Sequence, residues 1–337
     1  MFGVEWLRAR TDPRGLLEHA RNGVPLLSEG YTTDDNARAL LYVARLPEGG
    51  RPLDLARTYL GFLLFMQKED GRFRNGLSAS GQFEDEGEAE DPSGRALLAL
   101  SAAAYLPEEL GEAARHALRL SVEAVVRFTS LRGRAYALLG LLAGAAGGEK
   151  DFLEAAHHLG RGLLAAFRET DPDWPFPDAL TYANHRPVEA LYAYALAFRD
   201  REALRLARRA LAFLDSLYFL GGLFDPVGNR FMRKGEAKPL FDQQPIEAKA
   251  ATSCYLRFGD REKAEFAFLW FHGRNRLFSP LVDPLGPMDG LTPHGPNRNR
   301  GAEALLSYLL AWQALVQGVF PQVEEGMALG RVYALGG

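Results

Sequence analysis

Residues 30–46 read GYTTDDNARALLYVARL, and this stretch decides how the rest of the chain is interpreted. Thr33, Asp34, Asp35 and Asn36 are residue types that cap the N-terminus of a helix. Residues 37–45 then continue as an apolar segment with small side chains at close spacing. The sequence therefore predicts a helix that begins in a cluster of polar side chains.

Weaker versions of this stretch recur five more times along the chain. Aligned on the residue before an Ala-Leu pair or its equivalent, the six copies place together Arg38, Arg95, Tyr136, Glu189, Glu247 and Glu303. Successive copies lie between 41 and 58 positions apart, slightly above the period usual for open solenoids. Six such units predict a ring that closes on itself.

The predicted helices fall into two alternating classes. Apolar, Ala-rich segments such as residues 187–198 and 301–316 alternate with amphipathic ones such as 151–168 and 200–217. A helix that is apolar all round belongs in the interior, whereas an amphipathic helix has one solvated face. We therefore predict an all-α (α/α)6 toroid that spans residues 1–337 as one domain, with residues 321–337 as a C-terminal tail.

Most segments that lead into the predicted inner helices are long. Residues 68–90, 170–186, 221–244 and 273–300 mix Gly, Pro, aromatic and charged side chains, and the first of these predicts a turn with a small β-hairpin. Residues 16–22, before the first inner helix, predict a short helix. Long loops inside a compact domain are usually functional. All of these would lie on the rim where the inner helices begin.

Four motifs carry a resemblance to a known family. GYTTDDNARAL, EDPSGRAL, QQPIEA and NRNRGAEA, at residues 30–40, 90–97, 243–248 and 297–304, are similar to motifs of bacterial six-hairpin, glycosidase-like proteins. These proteins often occur beside or fused to glycosyltransferases, and their barrel resembles that of the N-acylglucosamine 2-epimerase group. The resemblance implies carbohydrate chemistry and a possible association with a glycosyltransferase. It transfers no catalytic residues.

Composition and motif searches exclude several classes of function. The 337 residues are 47% apolar and carry a net charge of −4, with Lys and Arg scattered among Asp and Glu, which argues against a nucleic-acid surface. Residues 1–25 have no continuous apolar stretch, so we predict no membrane partner and a cytoplasmic location. HExxH, CxxC and GxxxxGK[ST] motifs are missing, so we predict no metal and no cofactor.

Paired carboxylates are the first candidates for catalysis. Asp34 and Asp91 occupy corresponding places on neighbouring inner helices, whose axes should lie roughly 8–10 Å apart. Glycoside hydrolysis with inversion needs two carboxyl groups about 6.5–9.5 Å apart. Asp35 and Glu90 are adjacent alternatives, and helix capping is the competing interpretation for each of these residues.

The aligned ring supplies two further candidates, Glu247 and Glu303. Closure of the toroid would bring Glu303 beside Arg38. These glutamates could act as acid or base on a sugar, or they could form with Arg38 and Arg95 a charge network that only satisfies burial. Sequence alone leaves both interpretations open.

Two histidines suggest a different chemistry. His185 and His294 precede the fourth and sixth inner helices, and a pair facing one cavity could move a proton at a sugar carbon, as in an epimerase. A uronate lyase that uses Tyr182, His185 and Arg186 is a weaker variant. Ordinary hydrogen bonding is the competing interpretation for the two histidines, and pairing with nearby carboxylates is the competing interpretation for Arg186.

Aromatic side chains on the rim loops, among them Tyr31, Trp174 and Tyr182, could bind the apolar face of a pyranose or anchor their loops. The leading prediction is a glycoside hydrolase acting on an oligosaccharide or glycoconjugate. The alternatives are a sugar epimerase or isomerase, and a non-catalytic carbohydrate-binding module that partners a glycosyltransferase. The predicted substrate-binding residues are Tyr31, Arg38, Glu90, Arg95, Trp174, Tyr182, His185, Arg186, Gln244, His294 and Asn299.

Overall fold

A computed structural model describes residues 2–145 and 149–318, so the predicted tail at 321–337 lies outside the described residues. Within these ranges the chain is mainly helical. The helices are α1 (Val4–Arg8), α2 (Thr33–Ala44), α3 (Leu53–Met66), α4 (Glu90–Ala103), α5 (Glu108–Val125), α6 (Leu131–Gly144), α7 (Lys150–Arg168), α8 (His185–Phe198), α9 (Arg201–Tyr218), α10 (Pro245–Phe258), α11 (Arg261–Leu269) and α12 (Ala302–Gln317).

The even-numbered helices form a closed inner ring. Each contacts the next in chain order, and α12 contacts α2. Nearly all residues of α6 and α10 are buried, whereas α9 buries one stripe that includes Leu206, Ala210 and Leu214. The predicted (α/α)6 toroid is confirmed, because the apolar segments lie inside and the amphipathic ones outside.

Close approach of neighbouring inner helices depends on small side chains. A Cβ atom on Gly140 of α6 would lie 2.8 Å from the backbone nitrogen of Leu98 on α4. A Cβ atom on Gly94 of α4 would lie 2.8 Å from the carbonyl oxygen of Gly133 on α6. Glycine on both sides of this contact lets the two backbones meet, which explains small residues in the recurring stretch.

Short antiparallel strands occupy the rim loops. In the described part of the chain they pair in sequence order as five two-stranded sheets. The strands are β1 (Ala20–Arg21), β2 (Val24–Pro25), β3 (Tyr31–Thr32), β4 (Gly76–Leu77), β5 (Phe219–Leu220), β6 (Leu223–Phe224), β7 (Val282–Asp283), β8 (Gly286–Pro287), β9 (Gly290–Thr292) and β10 (Gly295–Asn297).

The short helix predicted at residues 16–22 is wrong. Leu16 and Leu17 form isolated bridges, and residues 20–25 form the β1–β2 hairpin, with Asn22 and Gly23 at positive φ in its turn. Asn and Gly adopt these angles at low cost, and that preference overrides the helical spacing of the apolar residues. The small hairpin predicted within 68–90 forms in part, because Leu77 bridges to Phe83 in the same loop and also pairs with Tyr31 of β3.

Candidate functional site

A cavity of about 340 Å³ opens on the rim where α2 and α12 begin. Its walls are mostly polar and carry five carboxyl groups, one guanidinium and two side-chain amides. These groups come from both helices, from the segment before β1, from the loop after α3 and from the loops before α10 and α12. They belong to Glu18, Asp34, Asp35, Asp289, Glu303, Arg38, Asn75 and Gln244, and His19 and Thr32 also line the cavity.

The start of α2 places two aspartates at this cavity. Thr32 caps the helix, because its hydroxyl oxygen accepts a hydrogen bond from the backbone N–H of Asp35 at 3.1 Å. Asp34 and Asp35 therefore lie in the first turn, where the helix dipole favours negative charge. The Asp34 N–H donates to the side chain of Asn75 at 3.2 Å, which holds the loop after α3 against the helix start.

Asp34 is held by two arginines. Arg38 Nη2 lies 2.7 Å from Asp34 Oδ2, and Arg95 of α4 also donates to the Asp34 carboxylate. Burial alone would raise the pKa of Asp34, but the positive charges of Arg38 and Arg95 hold it below the usual value. Asp34 therefore stays ionised and fixes the orientation of both guanidinium groups.

Asp35 has the opposite electrostatic environment. Burial raises the pKa of Asp35 to about 7, Arg38 opposes the shift, and the negative charges of Asp34, Glu18 and Glu303 add to it. Asp35 Oδ1 lies 3.0 Å from Arg38 Nη2, and Thr32 donates to Asp35 Oδ2 at 3.0 Å. Near neutral pH a large share of this carboxyl group is protonated, which suits a general acid.

Glu303 faces Asp35 from the neighbouring inner helix. It lies in the first turn of α12, its side chain is 39% exposed, and its Oε2 is 3.6 Å from Arg38 Nη1. Because one guanidinium contacts both carboxyl groups, they lie within roughly 9 Å of each other, inside the limit of about 9.5 Å for an inverting pair.

Glu18 and Asp289 are site residues that sequence reasoning missed. The Glu18 carbonyl accepts from the N–H of Ala302 at 2.9 Å, and Asp289 Oδ1 accepts from the N–H of Gly301 at 2.6 Å. Both contacts fix the start of α12. Burial raises the pKa of each carboxyl group. The prediction of a helix at 16–22 gave no reason to place Glu18 at the cavity. Asp289 lies within the 273–300 loop, which the sequence predicts to be functional, but nothing in the sequence singles it out.

Asp91 lies near Arg95, one of the two arginines that bind Asp34. The Tyr182 hydroxyl donates to Asp91 Oδ2 at 2.6 Å, and the Arg132 guanidinium lies 4.3 Å from the centre of the Tyr182 ring. The charge of Asp91 also acts on Arg95, the residue that binds Asp34. Asp91 thus acts on the arginine that binds Asp34, but it does not line the cavity described above.

Glu247 lies in the first turn of α10, next to α12 in the inner ring, and is buried. Tyr218 donates to Glu247 Oε2 at 3.0 Å, and Asn184 Nδ2 lies 3.5 Å from both carboxylate oxygens. Burial raises the pKa of Glu247 to about 7, against the effect of the Tyr218 hydrogen bond. Glu247 does not line the cavity at the starts of α2 and α12, so the structure does not bring it together with Asp34, Asp35 and Glu303.

The two histidines have unlike surroundings. His185 is fully buried, with its ring against Tyr218 and its Nε2 3.3 Å from the Tyr255 hydroxyl. Burial lowers the pKa of His185 to about 3, so the ring is neutral. His294 is exposed between β9 and β10. His19, which sequence reasoning passed over, is the histidine that lines the cavity, and its Nε2 lies 3.5 Å from Glu18.

The remaining predicted residues make other contacts. The Glu90 carboxylate accepts from the N–H groups of Thr129 and Ser130, which places it before α6, and Arg186 pairs with Glu189. Tyr31, Trp174 and Asn299 do not line the cavity. The Tyr31 hydroxyl donates to Asp12 at 2.5 Å, and the Trp174 ring packs on Phe213. The Asn299 N–H donates to the side chain of Asn297. Arg300, just before α12, pairs with Asp283 at 2.6 Å.

Among residues 2–145 and 149–318, no group of three or more His, Cys, Asp or Glu side chains is arranged to hold a metal ion. No helix in the same ranges has both the length and the apolar character needed to cross a membrane.

Solved structures share the fold over almost the whole chain. A cellobiose 2-epimerase from Spirochaeta thermophila matches with a TM-score of 0.68 and 15% identity, over 99% of this chain and 94% of that one. A D-mannose isomerase matches with a TM-score of 0.71 and 10% identity, over 94% and 96%. At these identities the similarity shows the fold alone.

A third neighbour is an α-1,6-mannanase from Salegentibacter sp. HEL1_6, in complex with α-1,6-mannotetrose. It matches with a TM-score of 0.63 and 13% identity, over 94% of this chain and 97% of that one. The protein in that structure is an inactive variant in which two consecutive aspartates are replaced by alanine. No protein-family model and no curated protein matches the sequence.

Proposed function

We propose that this protein is a carbohydrate-active enzyme that hydrolyses a glycosidic bond in an oligosaccharide or glycoconjugate. The observation that carries the proposal is the placement of Asp35 and Glu303 on adjacent inner helices, facing one cavity and bridged by Arg38. A cavity of about 340 Å³ is large enough for a sugar unit, since small-molecule sites begin near roughly 300 Å³.

The roles follow from the electrostatics of the three carboxyl groups. Asp35, protonated in part near neutral pH, donates its proton to the leaving glycosidic oxygen. Glu303, partly exposed at the mouth, accepts a proton from the attacking water. Asp34 remains ionised between two arginines and holds Arg38 against both reacting groups.

The comparison with the mannanase supports a role for consecutive aspartates at this cavity. In that protein the loss of two consecutive aspartates accompanies inactivity. Asp34 and Asp35 are consecutive aspartates at a cavity of the same fold in this chain. The shared feature directs the first substrate screen toward manno-oligosaccharides.

The test is a screen of aryl glycosides and of manno- and gluco-oligosaccharides for new reducing ends. Loss of general acid or base catalysis typically costs 10²- to 10⁴-fold in rate. Asp35→Asn and Glu303→Gln should each lose at least about 100-fold, whereas Glu265→Gln, at an exposed ion pair on α11, should match the wild type. Wild-type turnover in folded Asp35→Asn protein would refute the assigned role.

An epimerase or isomerase is the second candidate. The observation that favours it is His19, half exposed in the cavity beside Glu18, because a histidine and a carboxylate can exchange a proton at a sugar carbon. The epimerase and isomerase that share the fold support this candidate. In this candidate His19 takes the place of His185 and His294, because His185 is buried, His294 is exposed, and neither lines the cavity. Deuterium incorporation from solvent into a reducing sugar, lost in His19→Gln, would identify this chemistry.

A non-catalytic binding role, association with a glycosyltransferase and a cytoplasmic location stay predictions. Mutual pairing of the six aligned residues would favour the binding-module hypothesis, but Glu247 bonds to Tyr218 and Asn184 instead. Co-purification with a tagged glycosyltransferase encoded nearby would test the association. Fractionation of cells that express the full chain would test the location.

A further inference from the structure

Asn75, in the loop after α3, caps the start of α2 with two acceptor atoms. Its carbonyl oxygen accepts a hydrogen bond from the N–H of Thr33 at 2.8 Å, and its Oδ1 accepts from the N–H of Asp34 at 3.2 Å. The first N–H groups of a helix have no partner within the helix, so each contact satisfies a donor that would otherwise be unpaired. The Asn75 side chain is therefore held beside Asp34, where α2 meets the cavity.

Asp85, later in the same loop, fixes the backbone that carries Asn75. The Asp85 carboxylate accepts from the N–H groups of Asn75 at 2.8 Å, Gly76 at 2.6 Å and Gly87 at 2.7 Å. Three backbone donors converge on one side chain, so the loop turns around Asp85. Asn75 is thus held from two sides, by α2 and by Asp85, before any ligand binds. Such preorganisation lowers the entropic cost of binding.

The contact with Asp34 also determines which end of the Asn75 amide is free to meet a ligand. A backbone N–H needs an acceptor, so the atom beside it is the amide oxygen and the other end is the Nδ2 donor. Within residues 2–145 and 149–318 Nδ2 has no hydrogen-bond partner, and the half-buried side chain lines the cavity. Capping uses only acceptor atoms, and aspartate caps helices equally well. The Nδ2 donor therefore has no part in holding the loop.

The cavity offers a ligand many acceptors and few free donors. A sugar hydroxyl both donates and accepts. The carboxyl groups of the cavity supply acceptors, whereas the Thr32 hydroxyl already donates to Asp35 and Arg38 already binds the aspartates of α2. Gln244 is the other amide in the lining, and its side chain makes no capping hydrogen bond that would fix its orientation. Asn75 is therefore a donor that is both uncommitted and held in place.

We propose that Asn75 binds the substrate, with Nδ2 donating a hydrogen bond to one hydroxyl oxygen of the sugar unit that lies between Asp35 and Glu303. Asp85 is the positioning residue that holds Asn75 in place. This inference rests on the carbohydrate site proposed above. It adds a specificity determinant to that site, because a sugar that lacks the hydroxyl leaves the Nδ2 donor without its partner.

A cycle of protein variants and deoxy sugars measures this hydrogen bond. The full chain is assayed with the glycoside that the screen identifies and with its monodeoxy analogues, each of which lacks one hydroxyl. For the wild type, removal of the bound hydroxyl should lower kcat/KM about tenfold, the value of one neutral hydrogen bond. In Asn75→Ala, which keeps the backbone contact with Thr33, removal of the same hydroxyl should have no further effect. Asp85→Asn should reduce the discrimination, and Asn229→Ala, at an exposed amide outside the cavity lining, should retain it.

The outcomes separate this inference from the proposed hydrolysis. Hydrolysis by the wild type, with equal losses on every deoxy analogue in wild type and Asn75→Ala, would overturn the role of Asn75 and leave hydrolysis standing. If Asn75→Ala fails to fold, a crystal structure of the full chain with a manno-oligosaccharide decides. Nδ2 within about 3.2 Å of a sugar hydroxyl supports the inference even without turnover, whereas a glycan that makes no contact with Nδ2 overturns it. Absence of both turnover and a bound glycan would overturn both proposals.

Discussion

Replacing Glu247 by glutamine should change how stability depends on pH. Glu247 is fully buried, and its pKa is raised from 4.5 to about 7 by that burial. A group with a raised folded pKa stabilises the folded state below its unfolded pKa, and this contribution is lost as pH rises through the folded pKa. A shift of this size corresponds to about 3 kcal/mol, and a neutral glutamine carries no such dependence.

The assay is urea unfolding of wild type and Glu247→Gln at pH 5, 6, 7 and 8. The variant loses stability at low pH, because its amide carries two N–H donors that need acceptors where the protonated acid carries one O–H. Between pH 5 and 8 the stability of the variant relative to the wild type should rise by about 2.5 kcal/mol, with unchanged m-values. Glu265→Gln is the exposed control and should run parallel to the wild type. A pH-independent offset for Glu247→Gln would refute the burial argument.

Three further predictions follow from the site and the fold. The kcat/KM for hydrolysis should fall tenfold per pH unit above about 7 as Asp35 loses its proton, and a profile that stays flat to pH 9 would contradict the assigned acid. Asp34→Asn should lower the free energy of unfolding by about 3 kcal/mol. This is the lower end of the range for breaking a buried ion pair, because the Asp34 side chain is 20% exposed. A loss below about 1 kcal/mol in urea unfolding would contradict this prediction. Gly140→Ala should cost about 1–3 kcal/mol through contact with α4, whereas Gly61→Ala, with open space on α3, should gain up to about 1 kcal/mol, and equal effects in thermal unfolding would contradict the close-packing argument.

The sequence predicts the toroid well because the distribution of apolar residues along each helix shows which helices are buried on all sides and which on one side. Helices such as α6 and α10 are apolar or small nearly all round and can only lie inside, and the loops between copies are too long to lie anywhere except on the rim. The N-terminal segment is different. Residues 16–22 have helical spacing, but the Asn22 and Gly23 turn decides their structure.

The site is less predictable, because it depends on the direction of each side chain around its helix. Glu247 and Glu303 occupy the same aligned position, yet Glu247 turns toward Tyr218 whereas Glu303 faces the cavity. Glu18 and Asp289 enter through backbone contacts at the start of α12, which no sequence spacing specifies. Pattern alone therefore finds the rim and Asp34–Asp35, but not the full set of carboxyl groups.

The central claim is that the reacting sugar bond lies between Asp35 and Glu303. The most direct measurement is a crystal structure of Asp35→Asn with a bound manno-oligosaccharide or whichever glycan the screen identifies. We predict a glycosidic oxygen within hydrogen-bond distance of the side chain at position 35, with a water held by Glu303 on the opposite face of the sugar. A glycan bound only outside this cavity, for example against the exposed Phe65 and Phe83 rings, would contradict the claim.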